Sequence, residues 1–308
     1  MTQGELNRPE NRPLREFAAS VLGPDLRIEN RSRSFGRQSI IWQITDPDGG
    51  RFWLKRHDLP GLPGKHTAPL LYERELNALE NWIPLLGEPT WWRSSELVAK
   101  SDELTAMILT NVEGGLLDET GVSPAESSEM FILAGRFARM LHDVDLPSHD
   151  RGDSVEYYAA WGERSLAEAD DIVGVETIKW VREVYDNGSE FTDVRFVCTH
   201  MDYSPRNWLI DRREEGIRFG IIDWERARIE HWLQDAVRME FDHWYREPHL
   251  KDAFFDGYGR QLTELEERQL LLMKLVNSVG SVTWASAYGD SHFEQSSREI
   301  IERLRRVL

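Results

Sequence analysis

The chain has 308 residues, 40% of them hydrophobic, enough to bury the core of one large domain or of two lobes. Its 54 acidic residues against 37 basic ones give a net charge of -17, which repels nucleic acid and anionic membrane surfaces and leaves cationic partners or simple solubility as the readings. Cys198 is the only cysteine, so no intrachain disulfide can form; with no apolar run long enough to span a bilayer, a cytoplasmic protein is expected.

In chain order, LRIEN (26–30), SIIWQIT (39–45) and RFWLKR (51–56) are short β-prone runs, and the DPDGG between the last two suits a hairpin turn. They predict a small antiparallel sheet. From 68 to 82, apolar residues recur at Leu71, Leu76, Leu79 and Trp82 with charged residues between them, one face of a helix. LTAMILTNV (104–112) reads as a further strand and runs into Gly114 and Gly115. The chain changes character there, which divides it into 1–112 and 113–308.

Ser123, Pro124 and Glu126 are a helix start signal, and the helix should continue through MFILAGRFARMLH with Phe131, Ala134, Ala138 and Leu141 on one side. Two more helices are expected near 154–170 and 174–187. Strands return at VRFVCTH, NWLID and IRFGIID, the last two joined by the charged turn RREEG; beyond Asp223 the chain reads as helical to its end. With no internal repeat and no low-complexity linker, two lobes sharing an extended seam is the coarse picture.

The chemistry concentrates in CTHMDYSPRNWLID (198–211). Cys198, His200 and Asp202 alternate, but residues two apart on a strand are separated by roughly 6.5 Å, too far for a Cys to His hydrogen bond, so Cys198 reads as a buried structural residue. A transition-metal site of His200 and Asp202 completed by His231 or His243 lacks any HExxH, cysteine pair or close His pair. The remaining reading uses the wider spacing. Asp202 and Asn207 flank a Ser-Pro turn and Asp223 ends the strand IRFGIID; such oxygen ligands suit magnesium, and magnesium on one or two carboxylates implies a phosphate partner.

HMDYSPRN (200–207) followed by IIDWE (221–225) resembles the aminoglycoside phosphotransferase branch of the protein-kinase-like superfamily. Upstream, Lys55 in RFWLKRH is similar to the strand lysine that holds nucleotide phosphates. Glu75 in YERELNALE is similar to its helix partner, with Glu73 as the fallback. LTNVEGG resembles the hinge, where backbone groups near Thr110 and Val112 would meet the nucleobase. FARMLHDV resembles the helix ending in Leu-His, and Asp235 in WLQDAVRM stands where an acid braces the catalytic loop. Two departures are plain. The phosphate-covering loop SRSFGRQS (32–39) keeps one glycine, Gly36, and Met201 replaces the glycine usual between His200 and Asp202. The absence of an HRD arginine and of DFG and APE disfavours a protein kinase.

The resemblance implies an α+β, bilobal protein-kinase-like fold with a small antiparallel-sheet N-lobe for nucleotide (1–112) and a larger, mainly helical C-lobe for catalysis and acceptor (113–308). It implies transfer of the γ-phosphate of ATP or GTP to a hydroxyl of an aminoglycoside-like or other cationic antibiotic. Asp202 would accept the hydroxyl proton, while Asn207 and Asp223 would hold Mg2+ on the phosphates. His200 stays a scaffold residue, and Glu225, Glu230, Glu240 and Asp242 are either ammonium receptors or solvated acids. A metabolic small-molecule kinase (choline, homoserine, fructosamine or methylthioribose type) and a nucleotide-binding pseudokinase are the alternatives.

Overall fold

The computed structural model describes residues 11–31, 39–57, 68–87, 90–145, 153–167, 169–240 and 243–308. It begins with α1 (Arg12–Leu22), β1 (Arg27–Asn30), β2 (Ile40–Thr45), β3 (Arg51–Arg56) and α2 (Ala68–Asn77). Then come β4 (Trp92–Ser94), β5 (Leu97–Ser101), β6 (Ala106–Thr110), β7 (Gly115–Leu116), α3 (Pro124–His142), α4 (Ser154–Leu166), α5 (Asp170–Val173) and α6 (Val175–Tyr185). The chain continues with β8 (Phe196–Thr199), β9 (Trp208–Arg213), β10 (Gly216–Ile221) and β11 (Arg228–His231). It closes with α7 (Gln234–Glu240), α8 (His243–Arg246), α9 (His249–Tyr258), α10 (Glu264–Tyr288) and α11 (Ser291–Leu304). Two compact units result, Met1–Val122 with Pro205–Arg228, and Ser123–Ser204 with Ile229–Leu308.

In the first unit the expected antiparallel sheet has the order β1-β2-β3-β6-β5. Trp42, Ile44, Leu54 and Ile108 form its buried face, and Leu14 and Ala18 of α1 cover it. The sequence reading has no counterpart of α1, although Leu14, Phe17, Ala18, Val21 and Leu22 recur at the i, i+3, i+4, i+7 and i+8 positions of one helix face. The β2–β3 turn closes as its residues predict: Asp46 N donates to Gly50 O at 3.0 Å, and Gly49 takes φ 87, a left-handed value that glycine adopts freely. Helix α2 keeps the 3.6-residue period only to Asn77; a π-turn over Ala78–Trp82 and a 3-10 turn over Ile83–Leu86 follow, still burying Leu79 and Trp82. A second sheet, β4-β10-β9-β7, pairs β9 with β10 antiparallel and β4 with β10 parallel.

In the second unit the predicted cap forms at α3: Ser123 Oγ accepts from Glu126 N and the Glu126 carboxylate accepts from Ser123 N. Helices α3 and α9 touch through glycines. A Cβ on Gly135 would lie 1.9 Å from Phe254 O, and one on Gly257 would lie 1.9 Å from Ile132 O. Leu166, Ile178, Val181, Leu275, Val279, Ile301 and Leu304 bring α4, α6, α10 and α11 into one apolar cluster. The stretch after Asp223 is not helical throughout, since β11 intervenes and pairs with β8. Among the described residues no helix is long and apolar enough to cross a membrane.

Candidate active site

Strand β3 alternates. Leu54 points into the apolar core, so Lys55 emerges on the other face together with Trp53, and His57 follows just beyond the strand end. The Lys55 ammonium meets three carboxylates. Its Nζ lies 2.7 Å from Glu75 Oε2 on α2, 2.5 Å from Asp223 Oδ1 and 3.0 Å from Glu225 Oε2. Glu75 is buried, and the fallback Glu73 is exposed. His57 Nε2 stands 2.8 Å from the same Glu75 oxygen, so that carboxylate is held from two sides.

Burial alone would pull the Lys55 ammonium toward its neutral form, but Asp223, Glu225 and Glu75 outweigh it and hold its pKa well above the ordinary value. For Glu75, burial pushes upward and loses to Lys55 and His57, which bring the carboxyl down to about 2. Glu225 goes the other way: burial, then repulsion from Asp223, raises it. The ligand atoms of His57, Glu75 and Glu225 lie within 4.8 Å of one another, a grouping able to hold a cation, and the Lys55 ammonium already is the cation in their midst.

Asn207 ends the short turn Pro205–Asn207 and is buried; its carbonyl accepts from Ile222 N at 3.1 Å, immediately before Asp223. The β9–β10 register, Trp208 opposite Ile221, therefore brings the two proposed magnesium ligands to the same end of one hairpin. Asp223 adopts φ 72, an uncommon left-handed conformation for a residue with a side chain, and its side chain stays 34% exposed beside Lys55. Thr110 closes β6, with its N–H on Glu96 O and its Oγ1 accepting from Glu96 N. Val112 is buried.

Trp53 is a residue the motif reading passes over. It sits two positions before Lys55 on β3, hence on the lysine face, and its indole N–H donates to Asn111 Oδ1 at 2.9 Å, between Thr110 and Val112. The period of two in RFWLKR is the signal that would have found it. A cavity of about 230 Å³ is lined in part by Thr110 and Val112 but by none of Lys55, Glu75 and Asp223, so cavity shape alone would have missed the charged cluster. Gly36 lies outside the described residues.

The second unit holds the proposed catalytic loop. Asp235 on α7 accepts from His200 N at 3.0 Å and from Met201 N at 2.7 Å, and its Oδ2 stands 3.1 Å from His142 Nε2. Aiming both N–H groups at one carboxylate turns Met201 to φ 65, the left-handed region where glycine is at ease. That accounts for the glycine expected at this position and identifies Met201 as a strained replacement. His200 is a scaffold residue: its Nδ1 accepts from Asp202 N at 3.3 Å. Asp202 is buried and its Oδ1 lies 2.8 Å from Arg238 Nε, an ion pair within the unit. Tyr203 Oη donates to Ala134 O at 2.7 Å and so ties the loop to α3. Burial pushes the Cys198 thiol up to about 12, which removes it as a nucleophile.

The acids considered as acceptor contacts are engaged within the protein or lie beyond description. Glu225 is at Lys55; Glu230 accepts from Tyr157 Oη at 2.8 Å and Tyr158 Oη at 3.0 Å; Glu240 is 3.2 Å from Lys251 Nζ. Asp242 is not among the described residues.

The family model described as "Phosphotransferase enzyme family" matches residues 39–271. Among solved structures, the GDP complex of aminoglycoside 2'-phosphotransferase-IIIa superposes with a TM-score of 0.68 at 14% identity, over 96% of this chain and 99% of the other. The apoenzyme of macrolide 2'-phosphotransferase MphH from Brachybacterium faecium gives 0.61 at 17% identity, over 94% and 97%. Spectinomycin phosphotransferase APH(9)-Ia, in complex with ADP and spectinomycin, gives 0.60 at 13% identity, over 96% and 98%. At these identities the likeness is one of fold, the α+β fold of kinase-like phosphotransferases. No curated protein matches the sequence.

Proposed function

Because the chain belongs to the phosphotransferase enzyme family, we propose that it transfers the γ-phosphoryl group of ATP or GTP to a hydroxyl of a small-molecule antibiotic in the cytoplasm. The observation that carries this reading is the ion-paired group of Lys55, Glu75 and Asp223, which joins residues from β3, α2 and the end of a hairpin around one buried ammonium. Lys55 would bind nucleotide phosphates and Glu75 would hold it in place. Gly36 belongs to the loop over the phosphates, the backbone at Thr110 and Val112 would meet the base edge, and Trp53 offers it a flat apolar surface. On this reading residues 1–112 bind nucleotide and 113–308 hold the catalytic and acceptor groups.

The donor set of Asn207 and Asp223, an amide and a carboxylate, fits magnesium, and three carboxylates against one ammonium leave an excess of negative charge for a divalent cation to offset. Bound there, Mg2+ would neutralise charge on the transferring phosphoryl group. Asp202 would orient the acceptor hydroxyl and take its proton, and positioning would supply most of the rate.

For the acceptor, the fold neighbours include proteins named for aminoglycosides and for macrolides. An aminoglycoside-like or other cationic antibiotic remains the proposed class. A nucleotide-consumption screen with magnesium against aminoglycosides, macrolides, cationic peptide antibiotics, choline and sugar amines, using Asp202→Asn as control, tests it. Turnover confined to metabolic acceptors would move the assignment to a metabolic kinase; magnesium-nucleotide binding with no turnover on any acceptor would leave a pseudokinase.

A further inference from the structure

An ammonium has three N–H donors, and at Lys55 three carboxylates face them. With three carboxylate oxygens within 3.0 Å of the ammonium, a nucleotide phosphate reaches Lys55 by taking the place of one of them. Glu75 is poorly suited to give way: its side chain is 1% exposed and the oxygen on Lys55 is also 2.8 Å from His57 Nε2. Asp223 makes the shortest contact, a hydrogen bond of 2.5 Å. Glu225 makes the longest, at 3.0 Å, without hydrogen-bond geometry; its Oε2 is buried and accepts no hydrogen bond, with His57 Nε2 a further 3.8 Å away.

The backbone beneath Glu225 is pinned. Trp224 is buried and its indole N–H donates to Ser94 Oγ at 2.9 Å, so an exchange at Lys55 is a movement of the Glu225 side chain rather than of the strand end. Carboxylate and phosphate oxygens offer an ammonium the same chemistry, a charged hydrogen-bond acceptor.

We propose that Glu225 is a placeholder anion of the nucleotide site: its carboxylate stands against the Lys55 ammonium when no nucleotide is bound, and a phosphate oxygen displaces it. The inference rests on the phosphotransferase reading and adds to it a residue that sets nucleotide affinity by competition. Removing the Glu225 charge therefore strengthens the hold on a phosphate instead of weakening it, the reverse of what loss of a supporting residue does.

The test is equilibrium binding of ATP, GTP, adenosine and guanosine to wild type, Glu225→Gln and Glu225→Asp, with and without magnesium. For Glu225→Gln, whichever triphosphate the wild type binds tightens at least about fivefold, while its nucleoside changes by less than about twofold, because only the phosphates feel the lost charge. Glu225→Asp keeps the charge but withdraws it by one methylene, and its affinity falls between the two. It decides the matter alone if the Gln variant does not fold, tightening supporting the proposal and unchanged binding overturning it. Weaker triphosphate binding in Glu225→Gln, or an equal shift for nucleoside and nucleotide, would make Glu225 a structural support and overturn the proposal. A wild type that binds neither triphosphate overturns the phosphotransferase reading, and this inference with it; a wild type that binds while the Gln variant shows no gain overturns this inference alone.

Discussion

Replacing Lys55 by methionine keeps an unbranched apolar stem one atom shorter and removes the positive charge that Glu75, Asp223 and Glu225 surround. Breaking a buried ion pair by deleting one partner costs about 3–5 kcal/mol, because the other charge is left in a site that water does not reach. The upper half of that range applies at neutral pH, since Glu75 is 1% exposed and Lys55 lies within 3.0 Å of all three acids. The sign with pH is distinctive. In the wild type the Glu75 carboxyl is held down from its ordinary 4.5 to about 2, so it stabilises the fold above 4.5 and that contribution is lost as pH falls toward 2. In Lys55→Met, the burial that pushes the Glu75 and Glu225 carboxyls upward loses its ammonium opponent and keeps only His57, so both rise from their wild-type positions; the folded state then takes up protons more readily, and the variant's deficit shrinks as pH drops. Urea unfolding followed by tryptophan fluorescence at pH 7 and pH 4.5 measures both. A deficit below about 1 kcal/mol at pH 7, or one that does not shrink by pH 4.5, would refute the claim that this ammonium neutralises a buried acidic cluster.

Asp202→Asn should lower turnover on a productive acceptor by at least about a thousandfold and leave nucleotide affinity unchanged by calorimetry; turnover near the wild-type level would end the assignment of Asp202 as base. Trp53→Ala should raise the nucleotide KM by about two- to tenfold at nearly constant kcat, the loss of one aromatic contact. Met201→Gly should hold or raise stability by up to about 1 kcal/mol, because relief of the left-handed strain competes with glycine's larger unfolded-state entropy, whereas Met201→Val should lose at least about that much. Gly135→Ala should cost about 1–3 kcal/mol in urea unfolding, since the added methyl would overlap Phe254 O; an unchanged midpoint would mean that α3 and α9 part freely.

Some of this molecule is readable one residue at a time. The Ser123, Pro124 and Glu126 start signal works through bonds within a single turn, and RFWLKR alternates as a strand whose outer face bears Lys55. Lys55 and Asp223 are 168 positions apart, and only the order of motifs connects them before the fold does. Other features depend on what the chain meets in space. The parallel pairing of β4 with β10 has no local code, whereas α1, which packs Leu14 and Ala18 against Trp42 and Ile44, carries a legible helical spacing at Leu14, Phe17, Ala18, Val21 and Leu22. Glu225 is written in the sequence like any solvated acid; its burial beside an ammonium is what separates it. The backbone angle at Met201 is set by two N–H groups sharing Asp235, a residue more than thirty positions away.

The glycine contact between α3 and α9 has a reach beyond packing. Tyr203, next to Asp202, hangs from the carbonyl of Ala134, one residue before Gly135. Asp235 leans on His142 at the end of α3, and the His142 ring in turn meets Tyr258 Oη at the end of α9, 3.0 Å away. Both suspension points of the loop are thus fastened to one helix pair whose separation is gauged by two missing methyl groups. The pair works as a jig: its spacing is copied into the placement of Asp202. Substitutions at positions 135 and 257, which touch no ligand, would detune the chemistry before they unfolded the protein, and a collection of weakened but folded variants should be rich in changes along that crossing.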